Sequence, residues 1–180
     1  MFVHKDHPEK QKVRENLKKY ILETVGTPKS MLTLPADNFI FESYFNDKTQ
    51  ITSCENNSKT YRRALKSKPN NITLKYKNIF DEKPLYEVIW LDLCVNLSVK
   101  TVNELISYFQ RSNAKIISVT LQSQREWLQP SLSFYGCSSI EEFRTTTFPN
   151  LIYALTGYKL TKLDKYRTNL NMSTYTFKKN

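Results

Sequence analysis

The chain has 180 residues, a length that suits a single domain with a sizeable buried core. Hydrophobic residues make up 39% of it and charged residues 24%, which argues against both a disordered chain and a membrane-spanning protein. Lys and Arg total 27 against 17 Asp and Glu, and the formal net charge of +10 favours a polyanionic partner, most often nucleic acid. A Lys-rich solubilising surface, encoded by an AT-rich genome, would give the same excess of positive charge.

The cysteines and the first residues of the chain indicate its compartment. Cys54, Cys94 and Cys137 are odd in number and widely spaced, so they predict neither a disulfide framework nor a thiolate zinc site. Residues 1–6 lack the apolar stretch of a signal peptide, and no apolar run is long enough to span a membrane. We therefore expect an intracellular protein, cytoplasmic or nuclear, without a metal site and without a membrane partner.

The chain opens with a helical pattern. Apolar residues at three- and four-residue spacing predict an amphipathic helix over 9–25, and Gly26 ends it. We therefore divide the chain into an N-terminal amphipathic helix, residues 1–26, and a single domain over 27–180. Only three glycines occur in the whole chain, so no flexible linker or internal repeat is expected.

Extended and helical segments then alternate. Apolar or β-branched runs predict five strands, at 31–34, 50–54, 72–76, 86–91 and 115–121. Between these strands, the spacing of apolar residues predicts a short helix over 39–45, a helix from residue 58 and a helix over 102–109. In the helix from residue 58, Tyr61 and Leu65 are expected to face inward. The opposite face of that helix is basic, with Arg62, Arg63 and Lys66.

The last third of the chain has a different organisation. Ser138 or Ser139 is predicted to cap a longer helix that Gly157 ends, and Pro149 is expected to kink or divide it. Two alternating segments follow, 158–167 and 172–178, and they predict an antiparallel hairpin.

Five strands alternating with helices predict an α/β fold, a Rossmann-like doubly wound sheet with helices on both faces. With the hairpin, the sheet has about seven strands, mostly parallel, and an antiparallel C-terminal strand. This order of elements resembles the fold of class I S-adenosylmethionine-dependent methyltransferases, in which the last strand inserts antiparallel beside the fifth. The resemblance covers residues 27–179 and rests on the order of elements.

Acidic residues stand where the predicted strands end, which is where such folds bind ligands. The resemblance implies that Glu55, after the second strand, binds the ribose hydroxyls of the cofactor. It also implies that Asp81 reaches the adenine amino group, that Phe80 contacts the adenine face, and that Asp92, after the fourth strand, orients the methyl acceptor. Each acid alone is more often a helix cap or a solvated loop residue.

The segment after the first strand departs from the family. There the family has a glycine-rich motif, because backbone must approach the cofactor closely. This chain has no glycine over residues 34–38. The resemblance places Pro35, Ala36 and Asp37 at the cofactor in its stead. Cys94 matches a C5-pyrimidine nucleophile less well than it matches a buried inert thiol.

Two functions therefore remain open from the sequence. The first is an S-adenosylmethionine-dependent methyltransferase acting on nucleic acid, with phosphates held by Arg62, Arg63 and Lys66. The second is a non-catalytic Rossmann-like protein that has lost the cofactor and serves in nucleic-acid binding or assembly. A nucleotide-binding enzyme of another class lacks support, because neither GxxxxGK[ST] nor GxGxxG occurs in the chain.

Overall fold

The computed structural model describes residues 7–35, 39–45, 48–122 and 129–180, apart from the side chains of Cys94 and residues 129–131. The strands are β1 (Ser30–Thr33), β2 (Gln50–Glu55), β3 (Ile72–Tyr76), β4 (Val88–Asn96), β5 (Ile116–Gln122), β6 (Tyr158–Arg167) and β7 (Asn171–Lys179). The α-helices are α1 (Pro8–Val25), α2 (Ser58–Ser67), α3 (Val99–Gln110), α4 (Gln129–Tyr135), α5 (Ile140–Glu142) and α6 (Phe148–Thr156). Short 3-10 helices cover Glu42–Tyr44 and Ile79–Asp81, and a π-helical turn covers Phe143–Thr147.

The seven strands form one sheet in the order β3-β2-β1-β4-β5-β7-β6. The first five are parallel, and β7 is antiparallel to both β5 and β6. This confirms the predicted mixed sheet with an antiparallel C-terminal strand. The chain runs outward from β1 to β3 and then crosses back to β4, so the strand order reverses between β1 and β4. Ligands of doubly wound sheets bind at that reversal.

The two faces of the sheet bury different helices. Leu17 and Ile21 of α1 pack with Trp90 on one face, and α2 adds Ala64 to the same cluster. The other face packs against α3 and α6. Six of the seven residues of β5 are buried, which fits a strand that lies inside the sheet and is covered on both sides.

Two details of the helices differ from the sequence pattern. Leu65 of α2 is 52% exposed, so the expectation that it faces inward is wrong. Ala64 is the buried residue instead, because its small side chain lets the helix lie close to the sheet. Between β1 and β2, the expected short helix is a single 3-10 turn.

The C-terminal helical region is divided, as Pro149 predicted. The chain follows a π-helical turn up to Thr147, and α6 then begins at Phe148 with Pro149 in its first turn. Helical backbone continues through both junctions, and the π-helical turn changes the hydrogen-bond pattern just before the proline, which lacks an N–H. The sequence pattern did not predict α4. Within the part of the chain that the structure describes, no helix is long and apolar enough to cross a membrane.

Candidate active site

A crevice of about 650 Å³ opens at the carboxyl ends of β1 to β4. It lies where the strand order reverses, and its volume falls within the roughly 300–1,000 Å³ that is usual for ligand pockets. Helices α1 and α3 close the two sides that the four strand ends leave open. The described lining residues are Lys10, Leu34, Pro35, Glu55, Asn56, Lys77, Asn78, Ile79, Phe80, Asp92, Leu93, Val95, Lys100, Thr101 and Glu104.

Asp92 lies on the crevice wall at the reversal point. Its side chain is 11% exposed, and its Oδ2 accepts the ammonium of Lys10 at 2.8 Å. Lys10 belongs to α1, so this helix crosses the carboxyl edge and reaches the crevice. Sequence reasoning missed Lys10, because an amphipathic pattern assigns lysines of such a helix to solvent.

Glu55 ends β2 and lines the crevice as well. Its Oε1 accepts the backbone N–H of Asn57 at 2.6 Å. Asn57 in turn caps α2, since its side chain accepts the N–H groups of Lys59 and Thr60. Glu55 therefore helps to shape the turn into α2 while its carboxylate stays at the crevice.

Residues after β3 contribute an aromatic wall. Asn78 caps the 3-10 helix by accepting the N–H of Phe80, and this turn directs the Phe80 ring against Tyr108 at a centroid distance of 5.5 Å. Phe80 is half-buried and lines the crevice. Asp81 is exposed at the end of the same turn and does not line the crevice. The cofactor contacts assigned to both residues stay predictions.

Part of the connection after β1, the described residues 39–45, is packed with aromatic side chains. Pro35 is buried and lines the crevice, whereas Ala36 and Asp37 lie outside the described residues. Beyond them Phe41 is buried, and its ring lies 4.0 Å from that of Trp90. Phe39 is buried too, with a positive φ of 49°. The floor beside the crevice is thus a hydrophobic cluster, formed by residues that follow the glycine-free segment 34–38.

A buried carboxyl group lies in this floor. Glu42 is 3% exposed, and burial raises its pKa, an effect that a hydrogen bond from Thr33 and the nearby Arg14 guanidinium only partly offset. Asp92 is close enough for its charge to raise the Glu42 pKa further. Sequence reasoning missed this group, although an acid inside the aromatic run 39–45 is the signal that could have found it.

The basic residues of α2 face solvent as predicted. Arg62, Arg63 and Lys66 are all exposed. On the same side of the molecule, the Tyr61 ring lies 5.2 Å from the ring of Tyr76, which β3 places beside Glu55 in the sheet register. The basic surface of α2 therefore begins at the β3 side of the crevice.

Other chemistries find less support in the described part of the chain. It contains no group of three or more His, Cys, Asp or Glu residues that could hold a metal ion. Burial raises the pKa of the Cys54 thiol to about 11, so this group stays protonated and unreactive near neutral pH. The side chain of Cys94 lies outside the described residues, so its proposed alternatives stay untested.

No protein-family model matches the sequence, and no curated protein matches it. Solved structures match the fold of this chain over most of its length. The magnesium protoporphyrin IX methyltransferase ChlM from Synechocystis PCC 6803, with bound SAH, superimposes with a TM-score of 0.69 at 9% identity, over 100% of this chain and 88% of that chain. The N-methyltransferase NodS from Bradyrhizobium japonicum WM9 gives a TM-score of 0.65 at 11% identity, over 97% and 98%. The chain has the class I methyltransferase fold.

A third structure supports the same fold. The methyltransferase domain of bacterial-CtHen1-CN superimposes with a TM-score of 0.64 at 13% identity, over 94% of this chain and 99% of that domain. The fold predicted from the order of elements is thereby confirmed. At such low identities the likeness concerns the fold alone, so the chemistry must be argued from the crevice.

Proposed function

We propose that the protein is an S-adenosylmethionine-dependent methyltransferase that acts on nucleic acid. The observation that carries the proposal is that Glu55 and Asp92 line one crevice at the strand reversal of a class I methyltransferase fold. Strands β2 and β4, which flank β1 in the sheet, bring these acids together although they are far apart in the sequence.

The crevice residues fit the cofactor in composition and placement. The Glu55 carboxylate would accept hydrogen bonds from the ribose hydroxyls, and the half-buried Phe80 ring would contact the adenine. Leu34 and Pro35, at the end of β1, would contact the rest of the cofactor. Bound S-adenosylmethionine supplies an activated methyl group on its sulfonium, and transfer then needs mainly in-line positioning of the acceptor.

Asp92 is the residue that would position the acceptor. A carboxylate can accept a hydrogen bond from an amino or hydroxyl group and fix the direction of its lone pair. Lys10 now occupies Oδ2, so an acceptor must either share this carboxylate with Lys10 or displace it. Burial of Asp92 strengthens either interaction, because less water competes for the carboxylate.

The charge of the surface supports nucleic acid as the substrate. The formal net charge is +10, and Arg62, Arg63 and Lys66 project from one helix beside the crevice. Such a surface attracts phosphates irrespective of sequence.

One observation favours the second function, a non-catalytic protein that binds nucleic acid or assembles with other molecules. The segment 34–38 has no glycine, although the family needs close backbone approach to the cofactor there. Under this alternative, the crevice would not bind S-adenosylmethionine, and the basic surface would carry the whole function.

Calorimetric titration with S-adenosylmethionine separates the two functions. Wild-type protein should bind, and Glu55→Ala should weaken binding roughly tenfold or more, since hydrogen bonds to a charged group contribute about 1.5–3 kcal/mol. Glu104→Ala is the matched control, because it removes an acid from the α3 side of the same crevice. We expect the Glu104 variant to bind the cofactor as wild-type protein does.

Two results would contradict the proposal. If wild-type protein does not bind S-adenosylmethionine even at millimolar concentration, the second function takes its place. If the Glu55 and Glu104 variants lose affinity equally, Glu55 does not contact the ribose and acts only through its charge.

A further inference from the structure

A second, larger cavity lies at the same edge of the sheet, beyond the crevice. Its volume is about 970 Å³. It lies between the first turns of α1, the segment formed by α5 and the π-helical turn, and the hairpin end of β6 and β7. Its described lining residues are Glu9, Lys12, Val13, Asn16, Ile140, Glu141, Arg144, Asp164, Lys165, Tyr166, Arg167, Asn171, Met172 and Ser173.

The charged groups of this cavity are predominantly positive. Four cationic side chains line its described part against three carboxylates. Each carboxylate already has a partner: Glu141 pairs with Lys165, Asp164 pairs with Lys162 at 3.3 Å, and Glu9 accepts the backbone N–H of Arg167 at 2.6 Å. Ion pairs thus compensate the charges of Glu141 and Asp164, which leaves Lys12, Arg144 and Arg167 against the single carboxylate of Glu9.

Arg144 gives the cavity a buried cation. This residue lies in the π-helical turn, a rare conformation that is frequent at functional sites, and it is only 8% exposed. Burial lowers its pKa, although the guanidinium stays charged near neutral pH. A cation held away from water binds an anion more strongly than a solvated one, because less water competes with the ligand.

The remaining walls suit a planar apolar group. Val13, Ile140 and Met172 are its apolar lining residues, and the sheet register pairs Met172 with Tyr166. A nucleotide combines these requirements, since its phosphate needs cations and its base needs an apolar slot.

The sheet register relates this cavity to Asp92. Asp92 pairs with Thr120 of β5, and Thr120 pairs with Thr174 of β7, which adjoins Ser173 in the cavity wall. Two strand spacings separate Asp92 from that wall, a distance of about 10 Å. A nucleotide seated in the cavity could thus extend toward Asp92, across the turn of α1 that carries Lys10.

We propose that this second cavity binds the phosphate-bearing nucleotide that accepts the methyl group. The inference rests on the proposed function for the role of acceptor, whereas the anion site itself does not depend on it. Arg144, Lys12 and Arg167 hold the phosphate, and the apolar wall holds the base. The nucleotide is either extruded from a nucleic-acid strand or free.

Binding of three probes tests the proposal: nucleoside 5′-monophosphates, the corresponding nucleosides, and short fluorescein-labelled single strands of DNA and RNA. The double variant Lys12→Ala/Arg167→Ala removes two cations that are exposed and carry little packing. Its matched control is Lys159→Ala/Lys178→Ala, which removes two exposed lysines paired at the opposite end of the same hairpin. Arg144→Met and the conservative Arg144→Lys test the buried position.

Monophosphates should bind and nucleosides should bind far less well. The Lys12/Arg167 variant should lose about tenfold or more in monophosphate affinity, the control variant should not, and Arg144→Lys should retain more affinity than Arg144→Met. Tighter binding of single strands than of monophosphates would assign the nucleotide to nucleic acid, and the reverse would assign it to a free nucleotide.

Equal affinities of the Lys12/Arg167 variant and the control for every probe would overturn the proposal. So would equal binding of nucleosides and monophosphates. Titration of the same variants with S-adenosylmethionine keeps the two proposals separate. If wild-type protein binds S-adenosylmethionine but the Lys12/Arg167 variant binds every probe as the control does, only the proposal for the second cavity is refuted. If wild-type protein does not bind S-adenosylmethionine but the Lys12/Arg167 variant loses monophosphate affinity, only the proposed methyl transfer is refuted.

Discussion

The two cavities at the carboxyl edge of the sheet are built in opposite ways. The crevice takes Glu55 from the end of β2 and Asp92 from inside β4, just beyond the run 86–91 that the sequence marks as a strand. The second cavity takes its residues from four segments, 9–16, 140–144, 164–167 and 171–173, none of which ends a parallel strand. The first can be located from strand positions, and the second only from the packing of α1 and the hairpin.

Both regions bury charged groups, and the floor beside the crevice buries both signs, because Arg14 (4% exposed) lies near Glu42. Glu42 lies in the aromatic floor beside the crevice, and Arg144 lines the second cavity. Burial disfavours both ions, since it raises the pKa of Glu42 and lowers the pKa of Arg144.

The largest expected effect concerns the floor beside the crevice. Phe41 is 1% exposed and packs against Trp90 and Phe45, so Phe41→Ala should lower the free energy of unfolding by about 3–5 kcal/mol. Chemical denaturation measures the change. Phe134→Ala is the control, because Phe134 is 68% exposed and its loss should change stability by about 0.5 kcal/mol or less. Similar values for both variants would show that the aromatic floor is not core packing.

The next effect concerns the reaction. Asp92→Asn should reduce methyl transfer about 100-fold, equivalent to roughly 2.7 kcal/mol in the barrier, because the amide accepts hydrogen bonds more weakly than the carboxylate. Transfer of radiolabelled methyl groups to DNA and RNA measures the rate, and calorimetry should find cofactor affinity little changed. Lys10→Ala removes the same ion pair but keeps the carboxylate. If it reduces the rate as much as Asp92→Asn, the ion pair matters and Asp92 does not contact the acceptor.

A smaller effect tests where nucleic acid lies relative to the two cavities. If α2 contacts phosphates, log affinity should fall with log salt by about 0.7–0.9 for each phosphate neutralised. Replacing Arg62, Arg63 and Lys66 by Ala should flatten this slope, and the Lys159→Ala/Lys178→Ala variant should not. Fluorescence anisotropy at several salt concentrations gives the slopes. An unchanged slope in the triple variant would place the polyanion away from the crevice side of the molecule.

The smallest effect is a pH dependence at Glu42. Its folded-state pKa is raised above the ordinary 4.5, so folding favours the protonated form and stability declines as pH rises through and above that value. Glu42→Gln keeps an oxygen for the Thr33 hydroxyl and does not titrate. The variant should therefore match wild-type protein near about pH 4 and exceed its thermal stability near about pH 8. A stability difference that does not change with pH would show that Glu42 is not the group that titrates.

The sequence predicted much of the fold and part of the crevice. Hydrophobic period, caps and turn residues are local signals, and they located five parallel strands, the hairpin of β6 and β7, and the division at Pro149. They also placed Glu55, Phe80 and Asp92 near the carboxyl ends of strands, and the structure brings all three to one crevice, although β4 continues past Asp92 to Asn96. Asp81 followed the same rule but faces away, because the 3-10 turn after β3 rotates its side chain into solvent.

Tertiary structure alone decided which distant surfaces meet. Leu65 and Ala64 are neighbours on α2, and the close approach of the helix to the sheet selected the smaller one for burial. Lys10 fits the polar face of α1, yet the path of that helix over the carboxyl edge places it on Asp92. Arg144 and Lys12 share a cavity only because α1 and the π-helical turn pack at the same end of the hairpin. Local patterns specify what each segment buries, whereas the partner of each exposed charge depends on contacts between segments that no local pattern encodes.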